Sequence, residues 1–290
     1  MKLAVALKLG RISNLPTVWS NVLVGALLAG GSLADARLPL LLVSLSLFYV
    51  GGMFLNDAFD RDFDAKARPE RPIPSGQVSV TQVFGFGFGM LVLGLLLLTQ
   101  IGYGFGGSTG WRPVAAGCAL AAAIVAYDRW HKDNPLSPLI MGVCRMLVYL
   151  TAAFAFSAAP ATAVFVGAAV LLCHLIGLTY AAKQEHLGQL DSIWPLGFLA
   201  VPIVYGLVLG LASPGTLLLV LAFAAWVVYA VRLLLRRAKG DVPRAVVSLI
   251  AGISLLDAVI LGGHGHWAAA MLAIGAFLLT LAMQRWISGT

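Results

Sequence analysis

A chain of 290 residues with 60% apolar and only 11% charged side chains falls outside the soluble globular class, in which about 25% of residues carry charge. The mean hydropathy of +0.92 places it in a membrane. The net charge of +7 excludes little alone, but the basic residues are scattered among short loops instead of forming one patch, so no nucleic-acid partner is expected.

Ten apolar segments follow in chain order, at about 16–34, 38–57, 82–103, 112–128, 137–157, 161–182, 193–211, 215–235, 244–262 and 267–286. Most can cross a hydrocarbon layer of ~30 Å at 1.5 Å per residue. The segments at 112 and 244 are the weakest, so nine or ten spans are expected. One helical bundle in lipid can take the whole chain, and residues 1–290 read as a single domain. Lys2, Lys8 and Arg11 ahead of the first apolar run imitate a secretory leader, but polar residues interrupt that run and the helix is expected to be retained. Cys118, Cys144 and Cys173 lie inside apolar runs without pairing or metal spacing and read as packing residues.

With the N-terminus in the cytoplasm, alternation places loops 58–81, 129–136, 183–192 and 236–243 on the inner face. Then 16 of the 19 lysines and arginines lie inside, Arg37 and Arg112 outside, and Arg145 within a helix. This positive-inside asymmetry accounts for the net charge. It describes an integral, multi-pass protein of a bacterial inner membrane, its N-terminus and functional loops cytoplasmic and the lipid bilayer its standing partner.

The segment Asn56 to Gly76, N-D-A-F-D-R-D-F-D-A-K-A-R-P-E-R-P-I-P-S-G, lies between two apolar runs. If it continues the preceding helix, Asn56, Asp60 and Asp64 share a face at i, i+4 and i+8, with Asp57 beside them and Asp62 pointing away. Carboxylates so phased repel one another unless a cation sits among them, and hard oxygen ligands suit Mg²⁺. Arg61, Lys66, Arg68 and Arg71 follow at once, so one segment offers metal ligands and anion-binding cations, as a phosphorylated substrate requires. The plainer reading, a solvated loop, is disfavoured by the phasing and by the position at the end of an apolar helix. Pro69, Pro72, Pro74 and Gly76 then force a turn.

The pattern N-D-x-x-D-x-x-x-D at Asn56, Asp57, Asp60 and Asp64, with R-P-I-P-S-G at Arg71 to Gly76 and R-I-S-N-L-P-T-V-W-S-N at Arg11 to Asn21, resembles the UbiA superfamily of intramembrane prenyltransferases. The resemblance implies an all-α polytopic membrane protein, a bundle of nine or ten helices around a central cavity. It further implies Mg²⁺ as cofactor, held by Asn56, Asp57, Asp60 and Asp64, and an isoprenyl diphosphate donor whose allylic carbon ionises and is attacked by a small or lipophilic acceptor, often aromatic. Asp60 and Asp64 would be catalytic, Arg68 and Arg71 would neutralise the leaving group, and Asn14 would border the acceptor pocket.

One departure stands out. The family's second Asp-rich motif places Asp four and eight residues after a Tyr; counted from Tyr180, those places hold Gln184 and Gly188. Three explanations stay open. Lys183, expected to be catalytic, contacts the diphosphate in place of a second metal; Glu185 or Asp191 supplies a ligand after local unwinding; or the chemistry is lost and binding alone remains. Where relatives carry Tyr and, four residues on, Lys, this chain has Tyr127 and His131 with Lys132 next to it. Either could face the diphosphate or belong to an ordinary basic loop. Together with the altered motif this stretch is similar to the EboC-like branch, whose acceptor is unknown.

Arg145, about two turns inside its helix, needs a partner or a cavity; Asp257 is one candidate partner. His174 reads as a hydrogen-bonded packing residue. A non-catalytic isoprenoid-binding protein or transporter is the competing function. A CDP-alcohol phosphotransferase is discounted, because its motif needs Gly at Arg61 and Ala-Arg at Asp64 and Ala65.

Overall fold

The computed structural model describes residues 1–132, 134–183, 193–287 and 289, and among them no strand occurs. Twelve α-helices are described: α1 (Leu3–Leu9), α2 (Pro16–Leu28), α3 (Arg37–Phe59), α4 (Arg61–Ala67), α5 (Val80–Tyr103), α6 (Arg112–Trp130), α7 (Ser137–Phe156), α8 (Thr162–Lys183), α9 (Ala200–Gly210), α10 (Pro214–Arg236), α11 (Asp241–Gly263) and α12 (Trp267–Met283).

Each of the ten expected apolar segments contains a helix. Six of these, α3, α5, α7, α8, α10 and α11, are long and apolar enough to cross a membrane, and Ile12–Leu28, Trp194–Gly210 and Trp267–Met283 are shorter apolar stretches. The chain is an integral, multi-pass membrane protein. Proline in the first turn starts α2, α6, α7 and α10, where its missing N–H costs no helical hydrogen bond. The serine hydroxyls of Ser79 and Ser213 cap α5 and α10.

Two helices differ from expectation in an informative way. The segment at 244 becomes α11, which starts at Asp241, is 23 residues long, and has 83% of its apolar window buried. It packs against α2, α8, α9, α10 and α12 and forms the centre of the bundle. α1 was not anticipated; its Val5 and Leu9 pack with Phe54, Ala58, Val78 and Val83 beside the acidic end of α3.

Small residues let helices approach, as expected in lipid. A Cβ on Gly25 of α2 would run into the Tyr149 carbonyl oxygen of α7, and one on Gly87 of α5 would meet Leu55 of α3 at 2.8 Å. Gly85 and Gly89, two residues to either side of Gly87, have open space beside them, since alternate residues of a helix leave the contact face.

Candidate active site

A cavity of about 560 Å³ lies within the bundle. Its wall is drawn from α2, α3, α4, α6, α7, α8 and α11, and it is polar at one end and apolar along most of its length. Phe48, Leu120, Ile124, Leu175 and Leu178 belong to the apolar part; Asn56, Asp60, Asp64, Arg68, Arg71, His131, Lys132 and Lys183 belong to the polar part.

The acidic face forms much as the spacing requires. α3 stops at Phe59 and α4 starts at Arg61, yet the backbone bonds Asp60 N to Asn56 O (3.0 Å) and Asp64 N to Asp60 O (2.9 Å) carry the helical path across the junction. Asn56, Asp60 and Asp64 therefore all reach the cavity, while Asp62 is 88% exposed beside Arg61.

The carboxylates are neutralised by cations of the chain itself. Asp64, 2% exposed, takes Nη1 of Arg71 at 2.8 Å, and the same nitrogen reaches Asp57 Oδ1 at 3.3 Å. Asp60 is met by Lys132 Nζ at 2.9 Å and His131 Nε2 at 3.5 Å. Lys132 also sits over the Phe63 ring at 3.6 Å, and His131 stacks on Tyr127 at 4.9 Å while its Nδ1 lies 3.1 Å from the Tyr127 carbonyl. Burial by itself raises the Asp60 carboxyl pKa, but hydrogen bonding to His131 and the charges of His131 and Lys132 hold it below the ordinary value.

Two groups in this constellation were not among the expected site residues. Arg11 donates to Asn56 Oδ1 and Asp57 Oδ1, both at 3.3 Å, and its backbone occupies the left-handed region at φ 42. For a residue with a Cβ that conformation costs of order 1 kcal/mol or more and persists only when its surroundings enforce it; here Tyr49 donates to the Arg11 carbonyl at 3.1 Å. Burial opposes the Arg11 charge, but Asp57, Tyr49, Tyr127 and Asp60 together outweigh it and its pKa is raised. Asp128, next to Tyr127, is buried on the cavity wall; its Oδ1 accepts from Asn56 Nδ2 at 3.1 Å and its Oδ2 has no hydrogen-bond partner. The one sequence signal for Asp128 was a carboxylate at the end of an otherwise apolar helix.

Two expected site residues lie off the cavity wall. Asp57 follows Asn56 by 100° around the helix and is buried behind it, shared by Arg11 and Arg71. Tyr180 packs against the core, because Thr179 and Lys183, one turn apart, hold the cavity face of α8. Asn14 lines the cavity, but its amide is already occupied: Nδ2 donates to the Gly289 carbonyl at 2.8 Å and Oδ1 accepts from Gln284 at 2.9 Å. Lys183 donates to the Asn134 carbonyl at 2.8 Å and the Ser137 hydroxyl at 3.0 Å, tying the end of α8 to the start of α7. Gln184, Glu185, Gly188 and Asp191 lie outside the described residues.

Deeper, Arg145 and Asp257 are joined indirectly. Arg145 donates to Asn21 Oδ1 at 3.0 Å and Thr17 Oγ1 at 3.1 Å, and Asn21 Nδ2 donates to Asp257 Oδ2 at 2.8 Å. The Tyr149 hydroxyl donates to the other Asp257 oxygen. Arg145 also lines the cavity, so both sequence readings of it hold in part. His174 is fully buried, with Nε2 3.0 Å from the Leu249 carbonyl, a packing role.

The donor set is the kind a hard divalent cation takes: carboxylate and amide oxygens, with Asp128 Oδ2 buried and unsatisfied among them. Among the described residues no three His, Cys, Asp or Glu side chains converge on one point; the carboxylates of the front lean instead towards Arg11, Arg71, His131 and Lys132. The chemistry fits Mg²⁺; binding it requires Lys132, His131 or Arg71 to yield an oxygen.

Residues 18–250 match the model of the UbiA prenyltransferase family. The digeranylgeranylglyceryl phosphate synthase of Methanopyrus kandleri is 31% identical over 208 residues, 69% of each chain. A solved structure concerned with digeranylgeranylglyceryl phosphate synthase in membranes superposes with a TM-score of 0.62 at 21% identity, covering 90% of this chain and 98% of that one. A UbiA homolog from Archaeoglobus fulgidus bound to DMAPP and Mg²⁺ superposes with a TM-score of 0.53 at 14% identity, over 97% and 99% of the two chains. With the family model spanning most of the chain and the same helical architecture in those structures, this protein belongs to the UbiA prenyltransferase family.

Proposed function

We propose that this chain is an intramembrane prenyltransferase moving an isoprenyl group from an allylic isoprenyl diphosphate to an acceptor held in the apolar part of the cavity. The observation that carries this reading is the continuity of one cavity from a front of carboxylates and cations into an apolar chamber. Such a donor needs both ends: a charged site for its diphosphate and a dry channel for its hydrocarbon.

Asn56, Asp60 and Asp64 would hold Mg²⁺, which when bound supplies positive charge against the diphosphate oxygens. Arg68, Arg71, His131, Lys132 and Lys183 share that wall and bind the leaving group. His131, Lys132 and Arg71 exchange their contacts with Asp60 and Asp64 for diphosphate oxygens, so the same arrival that consumes the cations releases the carboxylates. The allylic carbon to oxygen bond then breaks heterolytically. Both electrons leave with diphosphate, the apolar wall keeps water from the carbocation, and the rings of Tyr49 and Tyr127 offer π faces to it. The acceptor's nucleophilic atom forms the new bond and loses a proton. The concentration of lysine and arginine at this end of the bundle supports a cytoplasmic mouth.

Lys183 sits on the wall anchored by Asn134 and Ser137, which supports its role as the positive group opposite Asp60. The competing reading, binding without turnover, draws on Gln184 and Gly188 standing where relatives have carboxylates. Purified protein in lipid with isoprenyl diphosphates of several lengths, with and without Mg²⁺, separates the two. Mg²⁺-dependent diphosphate release that disappears in Asp60→Ala is expected. Mg²⁺-dependent binding with no release across a broad acceptor panel would overturn the enzyme reading in favour of a binding protein.

A further inference from the structure

Among the described residues three carboxylates line the cavity, Asp60, Asp64 and Asp128. Two of them face cations of the chain, Asp60 with Lys132 at 2.9 Å and Asp64 with Arg71 at 2.8 Å. Among the described residues Asp128 forms no such pair, although it is only 4% exposed. Its Oδ1 accepts from Asn56 Nδ2 at 3.1 Å, and its Oδ2 is buried without any hydrogen-bond partner.

The side chain is unsatisfied in either protonation state. Ionised, it is a buried charge without a counter-ion, which burial penalises heavily. Protonated on Oδ2, its O–H has no acceptor. Orienting Asn56 does not require the charge, since a neutral amide or hydroxyl oxygen at position 128 would accept the same hydrogen bond. The negative charge is therefore surplus to that contact, and the group that answers it comes from outside the chain.

Its place in the fold says what that group is. Asp128 stands in the last turn of α6 and Asn56 in the last turn of α3, one helical turn before Asp60. The hydrogen bond between them thus sets an additional carboxylate from a second helix against the acidic face. In the sequence the two carboxylates expected after Tyr180 are replaced by Gln184 and Gly188, so a charge is missing on the α8 side and one is added on α6. Asp60 and Asp64 can turn to an incoming cation only as Lys132, His131 and Arg71 let go, whereas Asp128 Oδ2 has no partner to give up.

We propose that Asp128 is itself a ligand of the divalent cation, its Oδ2 binding the metal while its Oδ1 keeps the Asn56 amide, so that this chain holds the ion between α3 and α6. The proposal rests on the reading of the acidic front as a Mg²⁺ site and deepens it by naming a ligand outside the Asn56 to Asp64 motif.

The test uses the whole protein in neutral maltoside micelles, freed of metal by a chelator that is then removed, and titrated with Mn²⁺ under electron paramagnetic resonance with no donor or acceptor present. Asp128→Asn keeps an oxygen for the Asn56 amide and removes only the charge; because ligand charge sets the affinity of such sites, it is expected to weaken Mn²⁺ binding about tenfold or more. A variant that binds Mn²⁺ as well as the wild type does would show that Asp128 only orients Asn56, and overturns the proposal alone. A wild type that binds no Mn²⁺ overturns the metal reading of the whole front and this proposal with it. Direct ligation is read separately in Asp128→Cys, made together with Cys144→Ala because Cys144 lines the same cavity. A thiolate prefers a soft ion, so the double variant is expected to bind Cd²⁺ about tenfold or more tightly than Cys144→Ala alone and to show the ultraviolet absorption of a cadmium–thiolate bond. Absence of that absorption overturns the proposal, and this arm decides it should Asp128→Asn fail to fold.

Discussion

Asn56 gives its side-chain amide to Asp128, Nδ2 to Oδ1 at 3.1 Å, and thereby turns its own Oδ1 towards the acidic face, where Arg11 now meets it at 3.3 Å. Asp128 thus orients a prospective metal ligand. Loss of an orienting partner of this kind costs roughly 10–100-fold in metal affinity or activity. Asp128→Ala is expected to raise the Mg²⁺ concentration needed for half-maximal diphosphate release by that order, and to weaken Mn²⁺ binding measured by electron paramagnetic resonance without donor. Unaltered Mn²⁺ affinity would refute the orienting role.

Arg71 compensates two buried carboxylates at once, Asp57 and Asp64. Removing one partner of such a pair leaves an uncompensated charge and costs about 3–5 kcal/mol. Arg71→Met should therefore lower the melting temperature in micelles substantially, and adding Asp64→Asn should recover part of the loss. A double variant no more stable than the single one would show that the pairing contributes nothing.

The Asp60 carboxyl is held below its free value of about 3.9 by His131 and Lys132, against the opposing effect of burial. A depressed folded-state pKa gives a stabilisation that is complete above the unfolded value and lost as pH falls through the folded one. Stability should accordingly decline below about pH 4, and Lys132→Met should make that decline shallower. Parallel pH profiles for the two proteins would assign the acid limb to other groups.

Glycines on the same kind of helix should differ by what stands opposite them. Gly25→Ala drives a methyl into the Tyr149 carbonyl, an overpacking worth about 1–3 kcal/mol. Gly85→Ala meets nothing and should be neutral or gain up to about 1 kcal/mol of helix propensity. Thermal unfolding of the two variants side by side decides this, and equal effects would contradict the α2 to α7 contact.

Much of this architecture is legible in the chain because lipid enforces a simple code. Apolar runs of spanning length locate every long helix, and the i, i+4, i+8 spacing places Asn56, Asp60 and Asp64 together on the cavity. What sequence could not show is which group answers which across the bundle. Periodicity sets Asp57 100° from Asn56 but cannot tell that Arg11 and Arg71 meet it there. Arg11 opens a family-like stretch, but its spacing does not show that a left-handed backbone brings it onto α3. The same limit explains Asp128, whose importance depends on a contact 72 positions away.

The relay from Arg145 through Asn21 to Asp257 also bears on biogenesis. Its members sit on α7, α2 and α11, and chains are made from the N-terminus onward. Arg145 is therefore synthesised more than a hundred residues before its counter-charge exists, whereas Asn21 and Thr17 on α2 precede it. Neutral partners already in place can shelter the guanidinium during insertion, and α11 closes the network last. The central helix of the finished bundle is thus a late arrival, and truncation before Asp257 should leave a nascent chain whose buried charge has hydrogen bonds but no opposing ion.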